Sequence, residues 1–190
     1  MNISNFILGC WMVFFVYWVV MSFSTKRTVE SQSWTNKIWQ VLALVVAFVL
    51  MFDFGMRDAF FPFNVQVLPQ SEWLGIVGCI MAFAGLLICI WARRTLADNW
   101  SGIVTIKENH ELIQRGPYAY TRHPIYTGLD LMFLGSVLTL GTVGAFLGLV
   151  VLAGGFWIKA KQEEKLMLRH FPDTYPAYMK RVKALIPYIL

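Results

Sequence analysis

The chain has 190 residues, of which 57% are hydrophobic and only 14% are Asp, Glu, Lys or Arg, against about 25% charged in ordinary soluble domains. A soluble protein of this length has too little interior to hide so much apolar surface, which excludes a water-soluble globular enzyme and predicts an integral membrane protein. The net charge of +5 reads as membrane topology, and no nucleic-acid partner is needed to explain it.

A helix needs about 20 mostly apolar residues to cross the ~30 Å hydrocarbon layer. The first charged side chain is Lys26, so Ile3 to Phe23 can form a first span. It lacks a basic leader and a small-residue cleavage site, so a cleaved signal peptide is not expected. Ile38 to Met56, interrupted by Asp53, gives a second span, and Trp73 to Trp91 a third. Ile125 to Ile158 carries one charge, Asp130, and as a single helix would be ~50 Å long, too long for one crossing. Gly141 near its middle predicts a tight helical hairpin, spans four and five. The expected fold class is therefore an all-α membrane protein of about five transmembrane helices.

With five spans, all of the 16 Lys and Arg residues except Arg57 fall on one side. The positive-inside rule makes that side cytoplasmic, with the N-terminus outside and the C-terminus inside. Cys10, Cys79 and Cys89 all lie within spans and form no CxxC or Cys/His cluster, so neither a zinc site nor a disulfide framework is supported. The chain divides into three N-terminal spans, residues 1–92, and a region of 93–190 that holds most of the titratable chemistry.

Two long polar stretches, 93–124 and 159–190, share the cytoplasmic face. Neither can bury a core alone, so they should fold against each other and cap the bundle. In the first, residues 103–106 and 112–114 flank a polar Lys107–Glu111 segment, giving a small hairpin or a loop. Gly116-Pro117 makes a turn. Pro124 suits the first position of span four, where free N–H groups with Arg122 and His123 would favour a carboxylate or phosphate. In the second, span five runs on through Glu163 and Glu164 until Pro172 ends it. Tyr175, Tyr178 and Val182 then recur at helical spacing.

Gly116-x-Tyr118, Arg122-His123-Pro124-x-Tyr126-x-Gly128, Glu163-Glu164, and then Phe171, Tyr175, Tyr178 and Val182, with His110-x-Leu112 ahead of the turn, resemble the isoprenylcysteine carboxyl methyltransferase family. The resemblance covers residues 99–187, and the small size is similar to its prokaryotic members. It departs at Pro172, where many relatives carry Gly, and at Asp130, a place usually apolar or aromatic. It implies an S-adenosylmethionine-dependent carboxyl O-methyltransferase with a cytoplasmic cofactor-binding cap and a lipophilic, prenylated acceptor arriving from the bilayer.

Under that resemblance Arg122 and the start of span four hold the donor carboxylate, and Glu163 or Glu164 meets its ammonium. His110, Leu112, Tyr120 and His123 surround the adenine and ribose, with Pro124, Tyr126, Gly128, Tyr175 and Tyr178 completing the cofactor site. Arg169, Glu163 and Glu164 are the candidate catalytic residues, Arg169 orienting the acceptor carboxylate. Structural readings stand beside these: Arg122 and His123 as interfacial anchors, Glu163 paired with Lys159, Tyr175 and Tyr178 as packing residues, Arg169 snorkelling. Asp130, two residues past Gly128, can face the site. A carboxylate acceptor is ionised at neutral pH and needs alignment and loss of water, not a base. A phospholipid or other lipid N-methyltransferase would share the donor pocket but need a base. A sterol-reductase-like enzyme would instead bind NADPH. A transporter is disfavoured because no inverted repeat is visible.

Overall fold

The computed structural model describes residues 3–23, 28–31, 34–52, 61–100, 105–107 and 111–190. The candidate residue His110, and Asp53 and Arg57, lie outside the described residues. Five long helices carry the architecture: α1 (Ile3–Ser22), α2 (Trp34–Phe52), α3 (Glu72–Leu96), α4 (Pro124–Leu140) and α5 (Val143–His170), followed by the short α6 (Tyr175–Arg181). α1, α3 and α5 are long and apolar enough to cross a membrane, whereas α2 and α4 are shorter apolar helices. Leu8, Met12, Val16 and Val20 of α1 and Val41 and Val45 of α2 are exposed, as expected of side chains that face lipid.

The predicted hairpin forms at the predicted place. Gly141 caps α4 with φ 66°, a conformation that favours glycine. The hydroxyl of Thr142 then caps α5 by accepting from the Ala145 N–H at 3.2 Å. Gln66 reinforces the turn by donating to the Leu140 carbonyl at 3.0 Å.

Close contacts set the helix directions. A Cβ on Gly85 would stand 2.4 Å from the Gly128 carbonyl oxygen, and one on Gly135 would stand 2.4 Å from that of Gly78, so α3 and α4 pack antiparallel at backbone contact. Gly144 lies against Leu50, Gly148 against Ala47 and Gly155 against Ala43, which runs α2 antiparallel to α5. Such small-residue seams are how helices associate in lipid, where burial of apolar surface provides little drive. α1 lies along α3 in the same direction: Ile3 meets Gly75, while the Met21 carbonyl accepts from Arg93 Nη2 at 2.6 Å.

Two local expectations change. Thr105–Lys107 does not form a hairpin with 112–114; it pairs antiparallel with Thr28–Ser31. This small ribbon is a non-local contact that local pattern cannot reveal. Asp130 does not reach the cavity described below.

Candidate active site

α5 is 28 residues long, ~42 Å at 1.5 Å per residue, against ~30 Å of hydrocarbon. The excess of ~12 Å, about the last two turns from Glu163 onward, therefore projects beyond the bilayer. This projection, the start of α4 and the C-terminal segment converge on one cavity of about 390 Å³.

Arg122 organises the convergence. Its Nε and Nη2 donate to Glu164 Oε1 at 2.9 and 2.5 Å, and its Nη1 donates to the carbonyls of Met179 and Val182. Lys161 Nζ donates to the other oxygen of Glu164 at 3.1 Å. His123 stands between the two acids, with Nδ1 3.3 Å from Glu163 Oε2 and Nε2 3.4 Å from Glu164 Oε1. The second contact is electrostatic and not an aligned hydrogen bond, since Nε2 has no partner by geometry. Tyr126 Oη donates to Glu163 Oε1 at 2.5 Å, and the His123, Tyr126 and Phe156 rings stack in series.

Burial would push both carboxyls up. The hydrogen bond and charge of His123, with Lys159 and Tyr126, instead hold Glu163 below the ordinary range, and His123, Arg122 and Lys161 hold Glu164 at about 2. Burial likewise pulls the His123 imidazole down, but its two acidic neighbours leave it above its ordinary value. The Tyr178 hydroxyl is pushed up to about 12, chiefly by burial, and donates to the Tyr118 carbonyl at 2.6 Å. Near neutral pH the two acids are thus carboxylates and Tyr178 is a neutral phenol.

The free N–H groups expected at the start of α4 are mostly taken. Those of Arg122 and His123 donate to the carbonyls of Lys183 and Ala184, and those of Tyr126 and Thr127 to the His123 carbonyl. The same pairing makes the two polar stretches fold against each other, as expected: Thr121 bridges to Lys183 and Arg181 donates to Gln114.

The sequence candidates therefore separate. Leu112, Arg122, His123, Tyr126, Glu163, Tyr175 and Tyr178 line the cavity. Of the two acids, Glu163 lies on the wall with its side chain 24% exposed, while Glu164 is turned inward at 4%. Pro124 is buried beneath the site. Gly128 packs on Cys89 and Gly85 of α3, off the cavity wall. Tyr120 is 53% exposed, and Arg169 is on the exposed side of α5; neither lines the cavity. In place of Arg169, the wall cation from α5 is Lys159, over the Tyr126 ring at 5.4 Å. Sequence reasoning named Lys159 only as a helix partner of Glu163, four residues on, and not as a site residue, although the same spacing puts both on one helix face. It missed Asn99, Trp100 and Glu111, which complete the polar end.

Below this polar end the same cavity continues between α1, α2, α4 and α5, along Trp18, Phe15, Phe14 and Trp11 on α1, Leu44 and Phe48 on α2, Leu129 on α4 and Phe156 on α5. The site thus joins a charged mouth to an aromatic arm inside the bundle.

Known proteins are similar to this sequence. The phospholipid methyltransferase family matches residues 73–174. The protein-S-isoprenylcysteine O-methyltransferase of Xenopus laevis is 26% identical over 187 residues, covering 95% of this chain and 62% of that protein. The Homo sapiens protein of the same name is 28% identical over 148 residues, 76% of this chain and 51% of its own. The chain thus spans roughly half to three-fifths of the length of these relatives. A solved structure of a eukaryotic intramembrane Ras methyltransferase superposes with a TM-score of 0.53 at 23% identity, covering 85% of this chain and 55% of that one, a likeness of fold. With more than half of its length matched, the chain belongs to the phospholipid methyltransferase family.

Proposed function

We propose that this chain is an integral membrane S-adenosylmethionine-dependent methyltransferase that esterifies the carboxylate of an isoprenylated cysteine or a similar single-tailed lipophilic acid. The observation that carries this reading is the one continuous cavity, polar at its mouth and aromatic at depth. The names of the relatives support the acceptor class. The aromatic arm favours one chain over the two of a phospholipid, because rings from three helices, with Leu129 from a fourth, converge on a single passage.

The donor is expected in the polar end. Glu163 and Glu111 on the wall suit its ammonium, the His123 imidazole on the same wall its carboxylate, and Leu112, Ile113, Tyr175 and Tyr178 the adenosine. Arg122 on the wall and Glu164 behind it, satisfied by each other and by their neighbours, act as positioning residues. S-adenosylmethionine, when bound, supplies a methyl group on a positively charged sulfur, which an anionic oxygen can accept in line. Lys159 meets the acceptor carboxylate and orients it. The apolar arm excludes water, which strengthens that pairing. No general base is needed, and the acids are held ionised by their cationic partners.

The test is a set of prenylated thiol acids supplied in bilayers. Methylation should require both a long apolar tail and a free carboxylate, and Lys159→Gln should raise KM at least about tenfold. Equal turnover of a tail-less acid removes the membrane route, and methylation of an amine in place of the acid moves the function to a lipid N-methyltransferase. Binding of NADPH without S-adenosylhomocysteine would favour the reductase alternative.

This reading places the donor mouth in the cytoplasm, with the N-terminus outside and the chain crossing five times, on the distribution of the basic residues. Reporter fusions at Met1 and Leu190 should report opposite sides of the membrane. Both ends on one side would remove the five-span arrangement.

A further inference from the structure

The aromatic arm stops inside the bundle, deepest at Trp11 and Phe48 and shallower on α5, where Phe156 stacks on Tyr126. Its last residues are Trp11 on α1, Phe48 on α2, Leu129 on α4 and Phe156 on α5. One turn further, Ile7, Met51, Phe133 and Leu152 are all buried and belong to one continuous core. The closure is a cluster of three rings: Trp11 lies 4.8 Å from Phe133 and 4.9 Å from Phe48, and Phe48 lies 5.0 Å from Phe133, each pair near perpendicular. Edge-to-face packing of this kind is favourable beyond its buried area.

Trp11 is the ring that cannot tilt away. It is 2% exposed, and its indole Nε1 donates to Ser136 Oγ at 3.0 Å, a buried bond across 125 residues of sequence. Ser136 Oγ itself donates to the Met132 carbonyl at 2.9 Å, so the anchor is tied to the α4 backbone. An indole N–H buried in apolar surroundings needs such a partner, and the bond fixes the ring plane across the end of the arm.

We infer that Trp11, pinned by Ser136, is the floor of the acceptor-tail passage and sets the longest chain the site accepts in a straight pose. The inference rests on the proposed function for the identity of the tail but not for the existence of the floor. From Tyr126, beside the donor site, to the level of Phe133 is seven residues of α4, ~10 Å of depth. A tail longer than this must bend or leave sideways toward lipid. Every methylene that fails to fit costs affinity in the way that discriminates substrates in other apolar pockets.

The experiment measures S-geranyl, S-farnesyl and S-geranylgeranyl N-acetylcysteine with protein in nanodiscs, both by binding calorimetry and by methyl transfer. In Trp11→Ala the ratio of longest-chain to shortest-chain affinity should rise about tenfold or more over wild type. The change should fall in KM and leave S-adenosylhomocysteine affinity as it was. Ser136→Ala, which frees the indole without removing it, should move the ratio the same way by less. Should Trp11→Ala fail to fold, Trp11→Phe, which shortens the floor and deletes the anchor, takes its place with the same expectation. An unchanged chain-length ratio in a variant that still binds S-adenosylhomocysteine overturns the floor. If the acids bind with the expected shift but are never methylated, the floor stands and the proposed reaction fails.

Discussion

Arg122→Ala is expected to destabilise the protein by about 3–5 kcal/mol, the usual cost of removing one partner of a buried ion pair, and to weaken S-adenosylhomocysteine binding at least about tenfold. The reason is that Arg122 joins three segments: Glu164 of α5, the carbonyls of Met179 in α6 and of Val182 just after it, and the start of α4. Its loss takes both donors from Oε1 of the buried Glu164 and leaves that carboxylate only Lys161 and the His123 contact. Lysine should not rescue it, because a single ammonium cannot reproduce bonds that point in three directions.

Unfolding in detergent micelles and calorimetry with S-adenosylhomocysteine measure the two effects. Acid should imitate the mutation. Glu164 is held at about 2, so its contribution to stability is complete above the ordinary carboxyl range near 4.5 and is lost as pH falls toward 2. His123 has the opposite sign. Its value is raised, so its contribution is complete below 6.5 and is lost as pH rises through the raised value. Normal donor binding in Arg122→Ala, Glu163→Ala and Glu164→Ala, each still folded, would remove the assignment of this network to the site.

The second large effect lies in the seam beneath the site. Gly85→Leu and Gly128→Leu should leave no folded protein, since even a Cβ at Gly85 meets the Gly128 carbonyl at 2.4 Å and one at Gly128 meets Cys89 Sγ at 2.6 Å. Backbone cannot yield as a side-chain tip can, and overpacking of close-packed interiors is destabilising. A Cβ at Gly154 meets nothing within 4 Å, and Gly154→Ala should be neutral or gain about 0.5–1 kcal/mol through helix propensity. Size-exclusion profiles and thermal unfolding in detergent check all three. The milder Gly128→Ala distinguishes two roles for that glycine. Packing alone makes donor affinity fall in step with stability, whereas a direct contact with the donor would lower affinity in a protein of unchanged stability.

The linear pattern sufficed for the features that depend on near neighbours. An uncharged run long enough to cross the hydrocarbon announces a helix, as over α1 and α3. Gly141 at φ 66° ends α4 within a residue of the expected place, and α5 stops two residues before Pro172, because backbone sterics and a missing N–H act locally. The motif around Arg122-His123-Pro124 identified the family for a similar reason: its residue types are spaced by the turn and helix start that present them.

Azimuth and long-range partners belonged to the tertiary structure. Glu163 and Glu164 differ by about 100° around α5, and only the position of α4 decides that Glu163 faces the cavity while Glu164 pairs with Arg122. Arg169 is six residues beyond Glu163, about 240° around the helix, which carries it off the wall that Lys159 shares. The N–H groups at the start of α4 look free in the sequence because their acceptors, the carbonyls of Lys183 and Ala184, lie some sixty residues away. Gly128 looks like part of a binding motif until α3 is placed against it. Trp11 looks like one more lipid-facing ring until Ser136, Phe48 and Phe133 close around it. In each case local chemistry sets what a residue can do, and the packing of helices distant in sequence selects which of those things it does.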